Sequence, residues 1–364
     1  MFQTISRIIT FFTIFVGSNH LRRSLKKIFK TAAYLAIALS AICCAKAVKV
    51  GPHEAEERYY NAWISQNHPG IKPTGLGIYI LEEEEGKGAP VKKDGYIYAD
   101  YTVTDLEGNI SSYTGKETAK QLGTYDTTKF YGPKVLTSFD NTLPAGLAQA
   151  VIGMKEGGRK KIIIPSWLMA YSSYETEKEY LENSSNSSSS IYDITIRHFT
   201  DSIHKFEIGE IEEYISRNQQ IFDSRMVNDT LGFYYQPLSQ EVSTEKFSKD
   251  TTIYINYTGR LLNGLVFDTT IEKVAKDNGL YSASKTYEPT SIKWGEKSSD
   301  LTMGTSGSSV IPGFALTLWH MHPMEKGIGV FYSPLGYSYN GSGESIPGYA
   351  PLVFEIEIVE KPTK

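Results

Sequence analysis

Val310-Ile311-Pro312-Gly313-Phe314 stands at the centre of four short phrases that run in order along the C-terminal third of the chain. Tyr257-Thr258-Gly259 precedes it, with Phe267-Asp268 ten residues after the tyrosine. Tyr337-Ser338-Tyr339 follows, and then Ile346-Pro347 running into Leu352-Val353-Phe354. The phrases supply aromatic rings, aliphatic side chains and a few hydrogen-bonding groups, with no nucleophile and no metal-ligand set. Taken one at a time, such residues are ordinary core formers. Their order and spacing make them a set, suited to an apolar slot with fixed polar contacts.

Outward from these phrases the chain proves to be duplicated. Trp63-Ile64-Ser65-Gln66-Asn67 recurs as Tyr214-Ile215-Ser216-Arg217-Asn218, and Leu76-Gly77-Ile78-Tyr79 as Leu231-Gly232-Phe233-Tyr234. Asp94 and Tyr101 recur as Asp250 and Tyr257, so the offset is 151 residues for the first pair and 155 to 156 for the others. A near-constant offset of that length implies two copies of one module. Period-two alternation predicts strands at Tyr96 to Tyr101 and Ile253 to Tyr257. Further strands are expected at Ile162 to Ile164 and Val330 to Ser333, each ended by a proline, and at Ile191 to Ile196 and Leu352 to Val359. A short helix is expected in each copy, over Ala148 to Met154 and Ala315 to Met321.

In this order the phrases resemble the FK506-binding-protein (FKBP) family of peptidyl-prolyl isomerases, over residues 229–361 and, in a weaker copy, 74–200. The resemblance implies an α+β chain of two tandem FKBP-like domains. Each would be a twisted antiparallel half-barrel wrapped on a short helix and preceded by another helix. It implies that Phe314 floors a proline slot, where the family usually has tryptophan, and that Tyr257, Phe267 and Phe354 wall it. Val310 and Ile311 would form the mouth, with the Ile311 N–H bonding a substrate carbonyl. Asp268 and the Tyr339 hydroxyl would be the polar contacts and Ile346 an aliphatic contact on the loop above. The implied partners are proline-containing polypeptides, with no cofactor and no metal.

The first copy departs from the pattern at the positions that matter. Tyr101 is kept, but Val103 replaces the glycine and Ser111-Ser112 the Phe-Asp pair. Pro144, which has no N–H, stands where Ile311 does, and Leu147 replaces the aromatic floor. Tyr171 and Tyr192 remain as possible matches to the family's aromatics. Met154-Lys155-Glu156-Gly157-Gly158 and Ile164-Pro165 keep the structural phrases. A retained fold with a lost site is expected.

The chain has 364 residues, a formal charge of -4 and scattered rather than striped basic residues, which gives no footprint for nucleic acid. Its two cysteines, Cys43 and Cys44, are adjacent, so no disulfide framework or thiolate metal site is expected further on. A basic stretch, Arg22 to Lys27, precedes an apolar one, Ala32 to Ile42, with the proportions of an export signal. Small residues before cysteine resemble, loosely, the lipobox of bacterial lipoproteins, which would lipidate Cys43 or Cys44 and anchor the chain to the cell envelope, facing periplasm or cell surface. Ala45-Lys46-Ala47 offers the alternative of cleavage and soluble release. The expected segments are 1–47 (leader), 48–73 (helix and linker), 74–200 and 229–364 (domains), and 201–228 (linker helix).

Other readings are weaker. His320-Met321-His322 lacks a third ligand, and Gly304 to Ser309 lacks the lysine of a phosphate loop. Glu82 to Glu85 reads as a solvated run on a strand end. Asn183 to Ser190 is expected to be a polar, mobile loop, and Ile271 to Asp300 an insertion that covers or extends the site. The rival to an isomerase is a non-catalytic FKBP-like chaperone or scaffold.

Overall fold

The computed structural model describes residues 53–185, 187–240 and 243–363. The expected leader and both cysteines lie outside the described residues. Everything described belongs to one compact unit, Pro52–Lys364, and no helix in it is long and apolar enough to cross a membrane.

Helix α1 (Glu54–Asn67) opens the first module. Tyr60 and Ile64, four residues apart and so on one face, are its buried residues. The Tyr60 ring packs edge-on against Trp167 at 5.3 Å. The module's sheet contains β1 (Tyr79–Glu84), β2 (Tyr96–Thr104), β3 (Ile110–Tyr113), β4 (Lys134–Thr137), β5 (Arg159–Ile164) and β6 (Ser190–Thr200). Its order is β1-β5-β6-β2-β3, with β4 also paired to β2, and every pair is antiparallel. Helices α2 (Lys116–Gln121), α3 (Ala145–Val151) and α4 (Glu177–Asn183) fill the connections.

Helix α5 (Ile203–Arg217) leads into the second module. There β7 (Val227–Thr230), β8 (Phe233–Pro237), β9 (Thr252–Leu261), β10 (Val266–Thr269), β11 (Thr290–Lys293), β12 (Thr302–Met303), β13 (Ser308–Ser309), β14 (Lys326–Phe331) and β15 (Leu352–Val359) form one sheet. The order is β13-β12-β11-β9-β15-β14-β8-β7, with β10 also on β9. The inner part, β8-β14-β15-β9, repeats β1-β5-β6-β2 of the first module. Helices α6 (Glu272–Asp277) and α7 (Pro312–His320) complete it. The α+β fold class and the duplication are thus both present.

Register makes the equivalence exact at the residue level. Gly259 pairs with Phe354 and Asp268, while Val103 pairs with Tyr192 and Ser112. Pro144 caps α3 as Ile311 caps α7, which sets Leu147 and Phe314 at the same turn of their helices. Both helices begin three residues earlier than expected. Each cap is extended backbone at the end of a turn, and proline, whose φ is already helical, sits at the cap of α3 and the first position of α7. Helix α3 ends before Gly153, whose φ of +89° no ordinary side chain favours.

Within the expected insertion, Ile271 to Asp300, β11 pairs with β9 and buries Ile292 beside Trp294. The expectation for the serine tract needs correction, because it is not wholly unpacked. Ser184 is buried and its hydroxyl sits 2.9 Å from His53 Nε2, while Ser189 Oγ accepts from the Ser166 N–H. The acidic run on β1 is exposed but faces Arg159, Lys160 and Lys161 across the β5 pairing, with Arg159 donating to Glu82 at 2.8 Å and Glu84 at 3.1 Å.

Candidate active site

Strand β9 brings in Tyr257, β10 brings Phe267 and Asp268, α7 brings Phe314 and β15 brings Phe354. These five come together. The rings of Tyr257 and Phe314 meet edge-on at 5.5 Å, Phe314 and Phe354 at 5.1 Å, and Phe267 and Phe354 at 5.6 Å. Edge-to-face contact sets the positive rim of one ring on the negative face of the next and fixes both orientations. Tyr257, Phe314, Phe354 and Ile346 are buried in a single cluster, while Phe267, Val310 and Ile311 pack on its rim and keep solvent exposure.

Polar groups at the rim are few. The Tyr257 hydroxyl donates to Asp268 Oδ2 at 2.6 Å, and burial together with that carboxylate pushes the phenol pKa up. The phenol therefore stays a neutral donor. Among the described residues the Ile311 N–H has no hydrogen-bond partner, and it opens α7 beside the rings. Such a donor is free for a carbonyl of a bound chain.

Tyr339 is not brought into this group. It is 65 % exposed, on a short 3₁₀ turn over Ser338–Asn340. Tyr337 takes its place against the cluster: it is half-buried, and burial, with a smaller contribution from the Asp268 carboxylate, raises its phenol pKa. Lys285, from the insertion, was also not foreseen. Its ammonium pairs with Asp268 Oδ1 at 2.6 Å, so the insertion reaches the rim at this carboxylate. Nothing in the spacing marks Lys285, and Tyr337 could not be told from Tyr339 within its phrase, because these segments are irregular and carry no period.

In the first module the same register positions hold different chemistry. Tyr101 keeps its place, its phenol pKa raised by burial, with the Ser112 side chain pulling the other way and no carboxylate partner among the described residues. Tyr192 stands opposite Val103, its phenol pushed up to about 12 by burial, and Tyr171 is largely exposed. Pro144 presents no N–H where Ile311 does.

His320 has a structural setting. Its ring stacks on Phe233 at 5.6 Å and on Tyr235 at 5.5 Å, and burial lowers its pKa. Among the described residues no group of three His, Cys, Asp or Glu side chains could hold a metal ion.

The sequence profile of the FKBP-type peptidyl-prolyl cis-trans isomerases matches residues 243–359. Peptidyl-prolyl cis-trans isomerase FKBP15-1 of Arabidopsis thaliana is 30% identical over 129 residues, which cover 35% of this chain and 67% of that protein. The chain belongs to the FKBP-type peptidyl-prolyl cis-trans isomerase family. Its C-terminal module is an FKBP-type isomerase domain. Peptidyl-prolyl cis-trans isomerase FKBP11 of Bos taurus is 31% identical over 108 residues, 30% of this chain and 41% of that protein, so the match spans less than half of the relative. Among solved structures, the three FKBP domains of wheat FKBP73 align with 78% of this chain and 93% of their own, at 15% identity and a TM-score of 0.27. The FKBP match falls on the module whose rings converge.

Proposed function

We propose that the second module turns over Xaa-Pro bonds of unfolded or extended polypeptides, and that the first module holds or places these clients without catalysing. Rotation about a peptide bond faces a barrier of about 18 to 20 kcal/mol, because resonance stabilises the planar amide. Around an Xaa-Pro bond the two end states are close in energy, so the barrier alone makes the exchange slow. Twisting the bond reduces the charge separation of the amide, so a dry, ring-lined slot favours the twisted state over the planar one. No nucleophile or metal is needed for this.

One observation carries the reading: Tyr257, Phe267, Phe314 and Phe354 converge around a rim with one fixed phenol donor and one backbone N–H left unbonded among the described residues. The prolyl ring would lie on Phe314, with the preceding carbonyl bonded by Ile311. Phenylalanine on the floor keeps the apolar platform and omits the indole N–H. The test is acceleration of cis-trans exchange in a proline tetrapeptide by the full-length chain. A Phe267→Ala variant that remains folded should lose at least tenfold in kcat/KM; a folded parent with no rate above background would refute the proposal.

The setting proposed is the cell envelope, with clients among exported proteins and a lipid on Cys43 or Cys44. What supports it is the basic-then-apolar leader followed by small residues and cysteine. Labelled fatty acid should appear on the expressed chain and disappear when both cysteines are replaced by alanine. Label that persists, or never appears, would count against the anchor.

A further inference from the structure

Beside the ring cluster the two modules enclose a shared cavity of about 460 Å³. Ile346 belongs to both places, buried in the cluster with Phe314 and Phe354 and lining the cavity. The first module contributes Tyr113 from β3 and Lys134 and Val135 from β4. Strand β4 pairs with β2, and among the described residues no strand pairs with its outer edge. In the second module the equivalent strand, β11, has Ile292 and Lys293 covered by β12, and its Ser291 carbonyl accepts from the Gly304 N–H at 2.8 Å. In the first module only the far end of this edge is met, where the Thr142 hydroxyl donates to the Thr137 carbonyl at 2.5 Å, and no strand covers the rest among the described residues.

An open edge presents N–H and C=O groups that bond any extended chain laid along it. Here the edge is held at a fixed place. Within the segment that leads into β4, the Phe130 N–H donates to the Glu344 carbonyl at 2.8 Å and Lys129 pairs with the Glu344 carboxylate at 2.7 Å. On the other side Thr127 lies against Gly279, where an added Cβ would meet its Oγ1 at 2.6 Å. The segment thus touches the loop that carries Ile346 and the insertion that carries Lys285. A cavity of this size is within the range, roughly 300 to 1,000 Å³, of sites that enclose small ligands.

We propose that this cavity is a second subsite for extended polypeptide: client residues flanking the proline pair with the open edge of β4 and lie between Tyr113 and Tyr339. The proposal rests on the isomerase reading of the neighbouring slot, since Ile346 is the wall they share. Lys134 is exposed and makes no ion pair among the described residues, so the flank favoured is one that carries Asp or Glu. This gives the first module a use that needs its fold and its position but not its lost slot.

The test compares a fluorescent proline tetrapeptide with a 12-residue peptide that has the same core and an acidic flank. Binding is read by anisotropy and turnover by tetrapeptide exchange, on the full-length chain and on Lys134→Glu. The longer peptide should bind at least tenfold more tightly. That gain should vanish when alternate flank amides are N-methylated, and also in Lys134→Glu, with tetrapeptide turnover held within twofold. Equal binding of the two peptides, or a gain that survives both changes, would overturn the subsite and leave the isomerase standing. A parent that does not turn over the tetrapeptide would remove both.

Discussion

Gly259 sits where a side chain has no room: a Cβ built on it would meet Phe267 at 2.5 Å and Phe354 at 2.8 Å. Both neighbours are rings held by edge contacts, so they cannot move aside without opening the cluster. Gly259→Ala should keep the fold, at a cost of about 1–3 kcal/mol for overpacking, and lower tetrapeptide kcat/KM at least tenfold. Urea melts and the exchange assay separate the two effects, and unchanged turnover would exclude these rings from the slot. The first copy shows how the position changes when no slot is kept, with Val103 in place of glycine and Ser111 in place of the phenylalanine. A second expectation concerns the two tyrosines of the Tyr-x-Tyr phrase. Tyr337→Phe should reduce kcat/KM several-fold and Tyr339→Phe should stay within twofold on a tetrapeptide; the reverse order would return the polar contact to Tyr339. The phrase was legible in the sequence but its facing was not. Spacing of two defines a face only on a strand, and these residues lie at and on a 3₁₀ turn.

Helix α5 reaches the site loop through the Glu207 carboxylate, with His204 edge-on to Tyr332 at 5.5 Å beside it. Glu207 is fully buried (0 % exposed) and accepts from the Ser333 N–H at 2.6 Å and the Ser333 hydroxyl at 2.8 Å. Ser333 begins the turn that leads to Tyr337. Burial pushes the Glu207 carboxyl up to about 7, against the opposing pull of its bonds to Ser333; Glu210, one turn on, is likewise pushed up to about 7, chiefly by burial. Both values lie above the ordinary carboxylate value of 4.5. Between about 4.5 and 7 the folded chain therefore holds protons that the unfolded chain releases, and stability falls as pH rises through that window. The share of Glu207 should be on the order of 1–3 kcal/mol. Glu207→Gln keeps an acceptor without a charge, so denaturant melts from pH 5 to 8 should show a flatter profile; an unchanged slope would mean that Glu207 is already ionised in the fold. The strands around this helix were readable because alternation and terminal prolines are local signals. The partner of Glu207 was not, since nothing local tells a buried carboxylate from an exposed one among the several acids of α5.

Across the whole molecule the duplication was readable because a repeat offset survives even where site chemistry has changed. The junction between modules was not, because hydrophobic pattern reports that a residue is buried and not by what. Its contacts come from loops, from the start of β2 and from α5. Phe130 of the first module packs on the hydrophobic cluster of the second, Tyr96 meets Tyr349 edge-on at 5.4 Å, and Tyr98 meets Phe206 of α5 at 4.8 Å. Glu207 and Phe130 approach the second module from separate elements, so neither contact depends on the other. If these contacts couple the modules, heat should unfold the described unit in one cooperative transition, with far-UV and near-UV dichroism coincident. Phe130→Ala removes a half-buried ring and should cost about 1–3 kcal/mol. Combined with Glu207→Ala, which leaves the Ser333 donors unpaired, it should split the transition into two, with tetrapeptide turnover lost in step with the unfolding of the second module. Two transitions in the parent would show modules that are stable apart, and the shared cavity would then lack the fixed geometry that an edge strand needs to hold a client beside the slot.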